Sequence, residues 1–306
     1  MTAEKPVPAS TVRKLAAPPG TLGLYGRAAL PLIPGAAKLP FVPGGARELP
    51  DLTLSLEGVR VDVARLRAYA DVCGFTLRND LPPTFPFVLG FPLHMALMTD
   101  RRFPFPAIGL VHMHNRIVQH RPISIAEALD VAVRARDLRP HPKGRTFELV
   151  TEVRAGGELV WEDVATIFRR GGGSKDADAA PPADPTAGVG DLGIATPTTW
   201  KVPGNQGRRY AAVSGDVNPI HLHPLSAKLL GFPRAIAHGM WTKARSLAAI
   251  HDQLPPAYSV DVRFQRPVLL PATVAFGSAG VGEQLAFVLQ DERKGTPHLR
   301  GVVAAR

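Results

Sequence analysis

The sequence predicts an α+β protein built twice from one plan, each half an antiparallel sheet curled around a helix. Three observations lead there. First, the chain repeats itself: Tyr69-Ala70-Asp71-Val72-Cys73-Gly74 parallels Tyr210-Ala211-Ala212-Val213-Ser214-Gly215, and Leu89-Gly90-Phe91-Pro92 parallels Leu230-Gly231-Phe232-Pro233, both at an interval of 141 residues. Arg121-Pro122-Ile123 matches Arg266-Pro267-Val268 at an interval of 145, as a four-residue difference in one loop would produce. Shared intervals mark an ancient duplication, and two copies make a pseudo-dimer where many would make a solenoid. Second, Ile236, Met240, Ala244, Leu247, Ile250 and Leu254 recur every three or four residues, the buried stripe of a helix. Third, Val260, Val262 and Phe264 then alternate with Asp261, Arg263 and Gln265, and strand-like runs follow at 273–276, 285–290 and 299–304. A helix followed by several such strands is the order of a sheet wrapping a helix.

The first half repeats this scheme less clearly. Residues 130–136, 147–153 and 159–168 alternate as strands do, and 87–98 is the expected helix, shortened or kinked at its start by Pro86 and Pro92. Side by side, the halves predict one continuous sheet with both helices on the same side. The expected segments are an N-terminal extension at 1–50, a first domain at 51–171, a linker at 172–196 and a second domain at 197–306.

Residues 22–42 are apolar enough to suggest a membrane span. Arg27, Lys38, three prolines and three glycines interrupt them, so no unbroken apolar helix of about 20 residues forms, and no membrane insertion is expected. A wrapping arm and a disordered leader both fit. The linker, GGGSKDADAAPPADPTAGVGDLGIATP, has little to bury. Its Gly188-Val189-Gly190-Asp191-Leu192-Gly193 is a formal dinucleotide motif, but no strand precedes it and no helix follows it.

At 306 residues, the length suits about two domains. The single cysteine, Cys73, excludes an internal disulfide and, with no signal peptide, indicates a reducing cytoplasm. The net charge of +10 suits a phosphorylated carrier. Nucleic acid is disfavoured, because the basic residues are scattered in pairs such as Arg101-Arg102 and Arg208-Arg209 with no aromatic platform between them.

The chemistry concentrates in Tyr210 to His221, YAAVSGDVNPIH. Within six positions lie an acid, Asp216, a carboxamide, Asn218, a proline, Pro219, and an imidazole, His221, directly after Ser214-Gly215. Acid, amide and imidazole together place a water and move a proton. Downstream, His238-Gly239-Met240 opens the helical stripe, which puts the Gly239 amide at a helix N-terminus, where a developing oxyanion can be held. A structural alternative is that Asp216 and Asn218 cap a helix beginning near Pro219. His221, His223 and His238 are too loosely spaced to predict a metal site, and His112 and His114, two apart in a strand, read as core or surface histidines.

Gly215-Asp216-Val217-Asn218-Pro219-Ile220-His221 resembles the G-D-x-N-P-x-H run of the MaoC-like family of (R)-specific enoyl-CoA hydratases and 3-hydroxyacyl-thioester dehydratases, with His238-Gly239-Met240 following in the family's order. The resemblance covers nearly all of the chain after residue 50, and its two-domain actinobacterial members are the nearest in organisation. It implies a double hot-dog fold. It further implies Asp216 and His221 as catalytic dyad, Asn218 orienting it, the Gly239 amide polarising the thioester carbonyl, and substrate contacts from Ser214, Gly215, Pro219, His238 and Met240. The implied substrate is an acyl thioester of coenzyme A or acyl carrier protein, with no metal and no other cofactor, bound by a monomeric pseudo-dimer or a homodimer. A non-catalytic acyl-thioester binding or assembly subunit and a hot-dog thioesterase are the rival readings.

Subtracting 141 from Asp216, Asn218 and His221 lands on Phe75, Leu77 and Asp80. The expected first half therefore keeps the shape without the chemistry.

Overall fold

The structure is a computed structural model that describes residues 11–30, 46–173, 184–187, 189 and 198–306. The apparent dinucleotide motif at 188–193 and most of the expected linker lie outside these residues. The described linker residues bury more than its composition suggested. Thr186 is buried, and Val189 packs on Ala286 and Val302.

In the first half, β2 (Leu52–Val59), α2 (Val63–Cys73), α3 (Phe85–Met98), β3 (Leu110–Gln119), β4 (Leu129–His141), β5 (Gly144–Ala155) and β6 (Glu158–Arg170) follow in order. The second half repeats them as β7 (Thr198–Val202), α4 (Gln206–Ser214), α7 (Gly239–Ala249), β8 (Tyr258–Phe264), β9 (Ala272–Val281), β10 (Gln284–Asp291) and β11 (Pro297–Ala305). Two short helices, α5 (Pro219–Leu222) and α6 (Pro224–Leu229), have no counterpart in the first half among the described residues. Ahead of both halves stand β1 (Thr11–Lys14) and α1 (Thr21–Ala29).

The eleven strands among the described residues join one sheet, in the order β1-β2-β4-β5-β6-β3-β8-β11-β10-β9-β7. Each half has the same internal order, and the halves meet back to back at β3 and β8, antiparallel from His114 opposite Arg263 to Gln119 opposite Tyr258. The seam is fastened by buried polar groups. The Lys243 ammonium donates to Asn115 Oδ1 at 2.6 Å and to the carbonyls of Asn115 and Val260, and the Asn115 amide donates to Asp163. Burial pushes Lys243 down and Asp163 up, and the opposite charge of each, with Asp261 beside Lys243 and the Asn115 amide on Asp163, works against that shift.

The duplicated Tyr-to-Gly match is a duplicated helix end. Gly74 and Gly215 both close their helices in the left-handed region, with φ of 79° and 84°, and donate N–H to Ala70 and Ala211. A side chain is strained there, which explains why glycine stands at both places.

The second match is a coincidence of sequence. Leu89-Gly90-Phe91-Pro92 lies inside α3, whereas Leu230-Gly231-Phe232-Pro233 is the connection after α6. The central helices α3 and α7 start at Phe85 and Gly239, so 10 residues separate Gly74 from the first helix but 23 separate Gly215 from the second. The interval of 141 therefore ends at the glycine caps. Phe75 still corresponds to Asp216, each following its cap, but Leu77 and Asp80 do not correspond to Asn218 and His221, because the first half lacks the whole segment that carries them.

Among the described residues no helix is long and apolar enough to cross a membrane.

Candidate functional site

The extra segment of the second half builds the site. After the Gly215 turn reverses the chain, the buried Ser214 hydroxyl donates to the Tyr210 carbonyl at 2.8 Å and accepts the Asp216 N–H at 3.1 Å. Asp216 Oδ1 accepts two bonds, from the Asn218 N–H at 3.1 Å and from the Tyr25 hydroxyl at 2.6 Å. The Asn218 side chain accepts the Ile220 N–H at 3.4 Å and caps α5, with Pro219 in the first turn. The capping alternative thus holds for Asn218, whose link to Asp216 runs through its backbone.

One turn of helix then carries His221 inward, to 8% exposure. This needs α4 and α5 to touch, and they do because residue 207 is glycine: a Cβ there would lie 1.9 Å from the His221 carbonyl oxygen. His221 Nδ1 lies 2.8 Å from the Ile236 carbonyl, which only accepts, so Nδ1 carries the proton and Nε2 presents a bare lone pair. His238, at the N-cap of α7, donates Nε2–H to the Asp216 carbonyl at 2.9 Å, while its contact with the carboxylate Oδ2 is longer, at 3.7 Å. The two imidazoles stack with centroids 3.6 Å apart. Asp216, His221 and His238 are therefore packed together, with the Asp216 side chain 26% exposed.

Burial pushes His221 down to about 3, and the neighbouring His238 adds to this while the Asp216 carboxylate opposes it. Burial lowers His238 as well. For Asp216 burial acts upward but is outweighed by the two imidazoles and the Tyr25 hydrogen bond, so its carboxyl lies below its ordinary range. Near neutral pH the site holds one carboxylate beside two neutral imidazoles.

These groups line a cavity of about 250 Å³. Ser214, Asp216, Asn218, His221, His238, Gly239 and Met240 all reach it; Gly215 and Pro219 do not, and act through backbone shape. Gly239 begins α7, so its N–H has no partner within the helix, and the residue lines the cavity. The opposite wall is first-half: Phe87, Phe91, His94, Met95 and Met98, successive positions on one face of α3. His112 also lines it, between the rings of Phe87 and Phe264. A bulge separates His112 from His114, which turns instead to Asp261 at 3.2 Å, so the expected shared face is broken.

Asp216, His221 and His238 offer donor atoms within 4.8 Å of one another, the compact trio found among the described residues. His223 is elsewhere, capping α6 through the Leu225 N–H. The trio is poorly shaped for a metal. Ring nitrogens direct their lone pairs in the ring plane, and two rings stacked at 26° send them side by side instead of to one point.

Sequence reasoning missed Tyr25, Gly207 and Tyr210, whose buried hydroxyl has no protein partner among the described residues. Only Tyr210 left a trace, as the repeat partner of Tyr69 and the first residue of the YAAVSGDVNPIH run.

The sequence profile of the MaoC like domain matches residues 193–301. The 3-hydroxyacyl-thioester dehydratase X of Mycobacterium tuberculosis is 42% identical over 262 residues, covering 84% of this chain and 90% of that protein. The chain belongs to the MaoC-like family. The crystal structure of HtdX from the same organism superposes with a TM-score of 0.72 at 40% identity, covering 83% of this chain and 100% of that one. A further M. tuberculosis structure, described as a double hotdog fold, shares the architecture at 16% identity and a TM-score of 0.51. The α+β double hot-dog expected from the sequence is the fold of this MaoC-like chain.

Proposed function

We propose that the chain is a hydro-lyase that reversibly dehydrates (R)-3-hydroxyacyl thioesters to trans-2-enoyl thioesters in fatty-acid metabolism, with Asp216 and His221 as the dyad. The observation that carries this is the meeting, on one largely apolar cavity, of a carboxylate, a bare imidazole nitrogen and a helix N-terminal amide. In hydration, the Asp216 carboxylate and His221 Nε2 are both acceptors, and one water donates a hydrogen to each across a gap of the size found here. The water oxygen adds to C3. His221 takes one proton from it and delivers that proton to C2, and the Asp216 charge stabilises the intervening imidazolium. The Gly239 amide holds the thioester oxygen as it becomes enolate-like. Dehydration retraces these steps, and atoms balance with no added cofactor.

The α3 face receives the acyl chain, and the phosphopantetheine common to coenzyme A and acyl carrier protein leads out of the mouth, where Arg266 lies. A reducing cytoplasm suits this chemistry and the buried, unpaired Cys73.

The relative's printed name describes a dehydratase, and the intact site supports turnover over mere binding. The test is incubation with crotonyl-CoA, followed by loss of the conjugated thioester absorbance. Hydration is expected. Release of free thiol would make the chain a thioesterase, and binding without either reaction would make it a non-catalytic subunit.

A further inference from the structure

Tyr25 lies outside both hot-dog halves and outside the residues matched by the family profile, yet its hydroxyl sits 2.6 Å from Asp216 Oδ1 and its ring lines the cavity. The local sequence explains how it gets there. In α1, Leu24 and Ala28, four residues apart, are buried, and the helix packs against α3. Thr21, at its start, lies close to Gly215. The helix therefore rests over both the α3 wall and the cap that precedes Asp216. Tyr25, one position on from Leu24, is aimed at the carboxylate.

The bond divides the labour of the two carboxylate oxygens. Oδ1 is filled by the Tyr25 hydroxyl and the Asn218 N–H, while Oδ2, 3.7 Å from His238, is left to face substrate and water. An O–H···O⁻ bond of this length is charge-assisted and among the stronger hydrogen bonds in proteins. It holds the carboxylate in one rotamer and favours its ionised form. The other groups facing Asp216 are Tyr210 from α4, His221 from α5 and His238 from the cap of α7. Arg65 of α2 is spent on the carbonyls of Val213 and Ser214. None of these occupies the place of the Tyr25 hydroxyl on Oδ1.

We propose that Tyr25, supplied by the N-terminal arm, is a positioning residue of the active site, which orients the Asp216 carboxylate and keeps it ionised for the reaction. The site is then assembled from three parts of the chain: dyad from the second half, acyl wall from the first, and carboxylate clamp from the arm. This rests on the dehydratase reading of Asp216.

The test compares Tyr25→Phe, which removes the hydroxyl and keeps the ring, with Leu24→Ala, which damages the packing of the same helix and leaves Tyr25 its hydroxyl. Tyr25→Phe should lower kcat for crotonyl-CoA hydration on the order of 10- to 100-fold, the range for losing a hydrogen bond to a charged group. KM should be nearly unchanged, and so should Tm. Because the lost donor stabilised the anion, the acid limb of its kcat profile should move to higher pH. In an Asp216→Asn background the same change should cost almost nothing further. Leu24→Ala should lower Tm and leave the limb in place. A wild-type kcat and limb in Tyr25→Phe would overturn the proposal. So would an unfolded Tyr25→Phe protein, since the hydroxyl would then be carrying the fold. A wild-type chain that fails to hydrate crotonyl-CoA at all would instead count against the dehydratase reading.

Discussion

The corresponding corners of the two halves differ in what they bring to the shared cavity: apolar wall from the first, and the acid and imidazoles of the proposed site from the second. In the first half Tyr69 donates its hydroxyl to Thr84, the N-cap of α3, at 2.8 Å, and Phe75 fills the position after the Gly74 cap. In the second half Tyr210 meets His238, the N-cap of α7, ring to ring at 4.9 Å, its hydroxyl finds no partner among the described residues, and Asp216 follows the Gly215 cap. Two substitutions, His238 for Thr84 and Asp216 for Phe75, thus turn a closed, self-satisfied corner into one with spare polar groups. The 13 additional residues before α7 then bring His221. Unsatisfied buried groups are costly, and they persist where a ligand uses them.

The difference is broken most severely by removing the dyad. Asp216→Asn and His221→Ala should each lower kcat by about 10³-fold or more while the protein stays folded, as circular dichroism and Tm would show. The double variant should be little worse than either single, because both act on one proton path. A double variant slower by the product of the two effects would show that they work independently.

The first half should control which substrates are accepted, not how fast the proton moves. Met95→Trp fills the α3 wall opposite the dyad. In a series of trans-2-enoyl-CoA substrates, kcat/KM for long chains should fall by about 10-fold or more relative to crotonyl-CoA, the scale on which apolar pockets discriminate methylenes. An unchanged chain-length profile would place the acyl chain elsewhere.

A pH series sharpens the contrast further. His221 is pushed to about 3 and the Asp216 carboxyl lies below its ordinary range, so both keep their working forms as the solution is acidified. The kcat/KM profile should be flat from about pH 5 to about pH 8, and a limb near 6.5 would show a solvated His221. Stability should behave differently. His94 and His112 in the first half and His221 in the second are all held near 3, against 6.5 when unfolded. The unfolded chain takes up protons first as pH falls, so stability present above 6.5 is lost between 6.5 and about 3. A Tm unchanged between pH 7 and pH 5 would contradict this.

The smallest expected effect belongs to charge. If the +10 surface steers a phosphorylated substrate, kcat/KM should fall several-fold as salt rises past physiological strength, where the screening length drops to about 8 Å and below. A flat response would assign the charge to composition.

The sequence disclosed what is local. The G-D-x-N-P-x-H run forms a turn, a cap and a helix start from its own residues, so acid, amide and imidazole were readable together, as were the helix at Gly239 and most strands. What it concealed depends on tertiary packing. Tyr25 reaches Asp216 across 191 residues, and no periodicity announces that. His112 and His114 looked alike until a bulge parted them. The match of Leu89 to Leu230 supported the right duplication for a wrong reason, because an insertion between glycine cap and central helix leaves no mark on an interval counted before it.

The proposed chemistry needs one working site per chain, built in the second half and walled by the first. Calorimetric titration of the whole protein with a non-reactive enoyl-thioester analogue measures this directly. Saturation at one ligand per chain is predicted. Saturation at two equivalent ligands per chain would contradict it and return the first half to catalysis.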